Sequence, residues 1–202
     1  ERQRAFERQN ASDFARFTAL RHRLPWVGCG ASYKYMARKA REQNLRELTI
    51  CEDDVVFPSG WEERYRAIEE LLKQRDDWDA FVGLVADLSP DTNILELIST
   101  PETGDLAIID AMTSNVFITY RASSFAAIEA WDETNVDVRS NTIDRFFGAQ
   151  GKVRIVVPHP FLVGHASGPS TLWGGPTNYD SMIASSEALL AQKIAQFARA
   201  SG

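Results

Sequence analysis

Five short runs rich in aliphatic and β-branched residues, set between segments of helical periodicity, constrain this chain more than any other feature. They are residues 45–51, residues 79–86 ("DAFVGLVA"), "LAIIDA", "SNVFITY" and "KVRIVVP". Such near-continuous apolar strands need cover on both faces. Helices are available to supply it. The periodicity predicts helices over residues 3 to about 23, 31–44, 61–74, 123–131, 141–150 and 179–200. In the second of these, Ser32, Met36, Ala37 and Ala40 share one face. Ser59, in the turn Pro58-Ser59-Gly60, is the expected cap of the third. Residues 87–104, with Pro90 and Pro101, read as a short hairpin or loop, and "LAIIDA" and "SNVFITY" as two neighbouring strands. No repeat or linker divides the 202 residues. The expectation is one α/β domain, a mixed sheet with helices on both faces, with no strand ahead of the first helix.

The first strand ends in charge. "LTICEDDVVF", residues 48–57, sets Glu52, Asp53 and Asp54 between two runs of buried type. Desolvating carboxylates is costly without a partner. In open α/β sheets, ligands gather beyond the carboxyl ends of strands, where this triplet falls. Side chains alternate along an extended chain, so Glu52 and Asp54 are expected on one side and Asp53 on the other. Two adjacent carboxylates repel unless a cation or shared proton intervenes. A hard divalent ion, Mg2+ or Mn2+, held by one or two carboxylates plus diphosphate oxygens, answers that need. A solvated acidic turn paired with nearby Arg answers it equally well from spacing alone.

Charge and cysteine usage exclude other classes. The net charge of -6 argues against a broad nucleic-acid footprint. The arginines between Arg2 and Arg23 are interrupted by Glu1, Glu7 and Asp13 and read as a solvated face. Cys29 and Cys51 form no CxxC pair and have no His cluster beside them, so structural zinc is not expected. No apolar stretch reaches the length of a membrane span, and no signal-peptide pattern precedes the first helix. Cys51, in a run of buried type, reads as a reduced packing cysteine, so a cytoplasmic location is expected, with peripheral membrane association left open. "GHASGPSTLWGG" has the small residues of a loop that closes over a diphosphate, with Ser170 and Thr171 as donors. It lacks the Lys and spacing of a P-loop. Trp173 either stacks on a sugar or anchors the loop.

"PWVGCGASYKYMARKA" followed by "LRELTICEDDVVFPSGW" resembles glycosyltransferase family 25, the lipopolysaccharide and collagen galactosyltransferase-like group. That family carries Gly-Cys-x-x-Ser-His opening a helix, then a strand ending in Glu-Asp-Asp. Gly28, Cys29 and Ser32 match, Tyr33 stands in place of the His, and Glu52, Asp53 and Asp54 match fully. "NVFITYRASSFAAIEAW" and "NTIDRFFGAQGKVRIVVPHPFLVGHASGPSTL" are similar to later segments, so the resemblance spans residues 26–173. It implies a GT-A fold of Rossmann-like type and inverting transfer from a nucleotide-sugar, usually a UDP-sugar, to a glycan or lipid-linked sugar acceptor. It makes Asp54 the first metal ligand, with Glu52 or Asp53 supporting the ion or the ribose, and Ser32 and Ser170 donor-binding candidates. A late His completes the metal shell in many such enzymes, and His165 is better placed for this than His159; His22 reads as surface. Asp144 is the leading candidate for the general base and Asp110 the second. Asp144 read without the resemblance is a helix-start Asp or a partner for Arg145 or Arg139.

The pattern departs at Tyr33, at Thr171 where many relatives carry Asp, and in the helical start of the chain. The runner-up is therefore a non-catalytic GT-A-like module that binds a nucleotide-sugar or glycan or scaffolds a partner. A carboxylate-based phosphohydrolase is a third reading, to which "EDDVVF" contributes little.

Overall fold

The computed structural model describes Phe6, Gln9 and residues 14–113, 116–166, 168–170 and 175–201, with backbone alone at 168–170, 175–177 and 201. The first long element is not the expected N-terminal helix. Residues 14–22 are irregular, and the rest of that predicted helix falls largely outside the described residues. The reason lies in what this segment packs on. Helix α1, Pro25–Glu42, begins six residues before its expected start, with Pro25 at a position that needs no N–H. The Leu20 N–H donates to Ser32 Oγ on α1. A Cβ on Gly28 would sit 2.5 Å from the Leu20 carbonyl oxygen, and one on Gly30 2.5 Å from the Trp131 ring. Two glycines that look like helix breakers are thus the places where chain and indole press against the helix.

Strand β1 is Glu47–Cys51, and β2 is Val55–Val56. Helix α2, Trp61–Lys73, starts from Gly60 at φ 80°, so Ser59 is not its cap; the left-handed turn at Gly60 makes the glycine itself the capping residue. Strands β3 (Ala80–Val82), β4 (Ile94–Thr100), β5 (Gly104–Ile109) and β6 (Phe117–Arg121) follow. Next come α3 (Ala122–Glu129), α4 (Ile143–Gly148) and β7 (Ile155–His159). The chain ends in the short strands β8 (Gly164–His165), β9 (Gly168–Ser170) and β10 (Gly175–Thr177) and in helix α5 (Tyr179–Ser201).

Six strands form one sheet in the order β1-β6-β3-β7-β5-β4, in which β3 and β7 are parallel and every other pair is antiparallel. The segment 87–104 is in part a hairpin, since β4 pairs along β5. The two strands expected side by side, β5 and β6, are separated by β7 and β3. The start of β6 is held elsewhere: the Val116 carbonyl accepts the Glu52 N–H and the Phe117 carbonyl accepts the Gly83 N–H.

Helices cover both faces. Trp26, Tyr33 and Ala37 of α1, Phe125 and Ile128 of α3, Ile143 and Phe147 of α4, and Leu190 and Ile194 of α5 pack with Ile50, Ile118 and Tyr120. On the other face Ile68 and Leu72 of α2 pack with Phe81, Ile108, Phe117 and Val156. From the registers, β1, β3 and β7 run the same way, so their carboxyl ends share one rim. Among the described residues no helix is long and apolar enough to cross a membrane.

Candidate functional site

The rim above β1 is where the chain turns. The Glu52 N–H donates to the Val116 carbonyl at 2.8 Å, keeping Glu52 in line with the sheet, and the Val55 N–H returns to the Glu52 carbonyl at 3.3 Å. The tight turn between them, and not the strand alternation expected, separates Asp53 from its two acidic neighbours in exposure. Asp53 is exposed, Asp54 is buried at 8% exposure, and Glu52 is half-buried.

His165 reaches this turn through backbone pairing. β2 and β8 are antiparallel, with Val55 opposite His165. The Ala166 N–H donates to the Asp54 carbonyl at 2.7 Å. These contacts bring His165 Nε2 to 3.4 Å from Asp54 Oδ2, with both side chains nearly out of solvent. A carboxylate and an imidazole expected together from sequence are therefore neighbours. His159, the other late histidine, ends β7 with its Nδ1 buried and without a hydrogen-bond partner among the described residues. His22 is exposed and receives the Leu24 N–H at the start of α1.

Glu52 has a partner that the sequence reading did not assign. Tyr33, buried in α1, donates its hydroxyl to Glu52 Oε1 at 3.3 Å. Burial, and then the charge of Asp54, push the Glu52 carboxyl up to about 7; the Tyr33 hydrogen bond and nearby His165 oppose that rise. Tyr33 itself was the available signal, since Tyr can donate to a carboxylate from a buried helix face.

Asp144 lies in the first turn of α4, with Oδ1 accepting the Arg145 N–H. Neither arginine named with it is its side-chain partner: Arg145 donates to the Val138 carbonyl, and Arg139 lies beside Asp137. Its charge acts on Glu52, Cys29 and Tyr120, raising all three, so Asp144 shares their interior. Asp110 does not. It follows β5, which runs against β7, and so emerges at the rim opposite the triplet. There both its oxygens are taken by the Asn93 backbone and side-chain N–H groups.

Ser32 is committed to packing. Its hydroxyl donates to the Gly28 carbonyl at 2.7 Å and accepts the Leu20 N–H at 2.9 Å. The backbone of Ser170 pairs with Gly175, while its side chain, Thr171 and Trp173 lie outside the described residues. Both cysteines are free thiols, each pushed up mainly by burial. Among the described residues no three metal-ligating side chains converge. What does meet is one buried carboxylate and one imidazole, with the charges of both acting on the Glu52 carboxyl. A scan against models of protein families gives no match, and a search of curated proteins gives none either.

Proposed function

We propose that this chain is a metal-dependent, inverting glycosyltransferase of GT-A type that moves a sugar from a nucleotide-sugar, in the first instance a UDP-sugar, to a glycan or lipopolysaccharide-type acceptor. The observation that carries the reading is the meeting of Asp54 and His165 beyond the carboxyl end of β1, with Glu52 alongside. A carboxylate oxygen and an imidazole nitrogen suit Mn2+, and the carboxylates suit Mg2+, with positions left for phosphate oxygens. Asp54 and His165 would hold the ion, and Glu52 would brace it once ionised. When bound, such an ion neutralises the charge that gathers on a departing diphosphate.

The residues of the chain supply the rest. Tyr33 fixes the Glu52 carboxyl through its hydroxyl. Asp144, with no arginine side chain on it among the described residues, takes the proton of the acceptor hydroxyl as the new glycosidic bond forms. Asp53, exposed at the turn, is left to meet the ribose.

Titration calorimetry with UDP-sugars, with and without Mn2+, tests the reading. Binding that needs Mn2+ and is lost in Asp54→Ala is the expected result. Donor binding indifferent to Mn2+ would sink the metal-dependent reading and favour a non-catalytic binding module. A mass-shift screen with UDP-Gal, UDP-Glc and UDP-GlcNAc then identifies the donor.

A further inference from the structure

The Asp54–His165 pair is also met by the helix α5. Tyr179, the first residue of α5, places its ring centroid 4.2 Å from that of the His165 imidazole, with 35° between the planes. His165 needs such a contact. Its Nε2 faces Asp54, but its Nδ1 is buried and has no hydrogen-bond partner among the described residues. A ligating histidine is ordinarily oriented by what its second ring nitrogen donates to. Among the described residues that restraint is missing, and packing bears on the ring torsion.

The helix that supplies the contact is itself held to the sheet at several points. Ser186 Oγ accepts the Leu88 N–H at 2.8 Å, and Glu187 Oε1 accepts the Phe161 N–H at 2.8 Å. Lys193 Nζ donates to the Pro90 and Thr92 carbonyls. Leu190 and Ile194 are buried in the core. Tyr179 thus begins a helix whose later turns are anchored. We propose that Tyr179 is a positioning residue of the candidate site, its ring holding the His165 imidazole with Nε2 toward Asp54. The proposal rests on the reading of Asp54 and His165 as the cation-binding pair. The ring face is what acts, so the phenol hydroxyl is dispensable.

The test uses the full chain, labelled with 15N, and reads the imidazole signals of His165, assigned by their loss in His165→Gln. In Tyr179→Ala the carbon-bound proton signals of His165 should lose their ring-current displacement, and Mn2+ affinity should fall about 10-fold. In Tyr179→Phe both should stay as in the unaltered chain. His165 signals unmoved in Tyr179→Ala, or moved equally in both variants, would overturn the proposal. If Tyr179→Ala fails to fold, Tyr179→Leu replaces it, keeping apolar bulk without a ring. If the unaltered chain binds no Mn2+, the cation reading fails, and the His165 signals alone decide whether Tyr179 orients the imidazole.

Discussion

Replacing Glu52 with Gln should change how stability depends on pH. The Glu52 carboxyl lies at about 7 in the folded chain against an ordinary value of 4.5, chiefly through burial and then through Asp54. In the unfolded chain it ionises near the ordinary value, so between the two values the folded state binds the extra proton. Stability is then highest below 4.5 and is lost as pH rises to about 7. At about 1.4 kcal/mol per pKa unit, the loss is about 3 kcal/mol. Gln keeps an oxygen for the Tyr33 hydroxyl but cannot ionise, so Glu52→Gln removes this slope. Urea unfolding of both chains at steps across that interval measures it. The variant should gain about 3 kcal/mol on the unaltered chain between the lower and the upper value. Parallel stability curves would refute the reasoning, because they would mean that Glu52 ionises equally easily folded and unfolded.

Further outcomes follow from the same geometry. Gly30→Ala drives a Cβ to within 2.5 Å of the Trp131 ring, and thermal melting should show a loss of about 1–3 kcal/mol. Trp131→Ala removes a fully buried indole and its hydrogen bond to the Asn141 carbonyl, with an expected cost of about 3–5 kcal/mol in denaturant unfolding. Asp144→Asn should lower turnover by about 10²–10⁴-fold while calorimetry finds UDP-sugar binding intact. Asp110→Asn, at the opposite rim, should leave turnover and donor binding unchanged; a large loss in either would return Asp110 to the site.

The parts of the molecule legible in its sequence are those governed by local pattern. The runs ending at Cys51, Arg121 and His159 became strands near their expected places because period and residue type agree there. The start of α1 was not legible in the periodicity, because Leu20 and Trp131, far from any local pattern, pack against Gly28 and Gly30 there. Nor was the place of β6 between β1 and β3, which depends on hydrogen bonds to Glu52 and Gly83 far away in the chain. In the site, Asp53 and Asp54 differ in exposure as expected, but a tight turn and not strand alternation separates them. The Tyr33 hydrogen bond and the tilted Tyr179 ring contact were not readable, because each joins elements that no local pattern relates.

The pairing of Val55 with His165 also has a kinetic meaning. Contacts between residues far apart in sequence form late, after the entropy of closing the intervening chain has been offset. Strands β3 to β7 lie in the chain between these two residues, so this contact closes over most of the sheet. The candidate site is expected to be among the last parts of the molecule to assemble. A fragment ending before His165 would carry the complete acidic triplet and still lack the imidazole beside it.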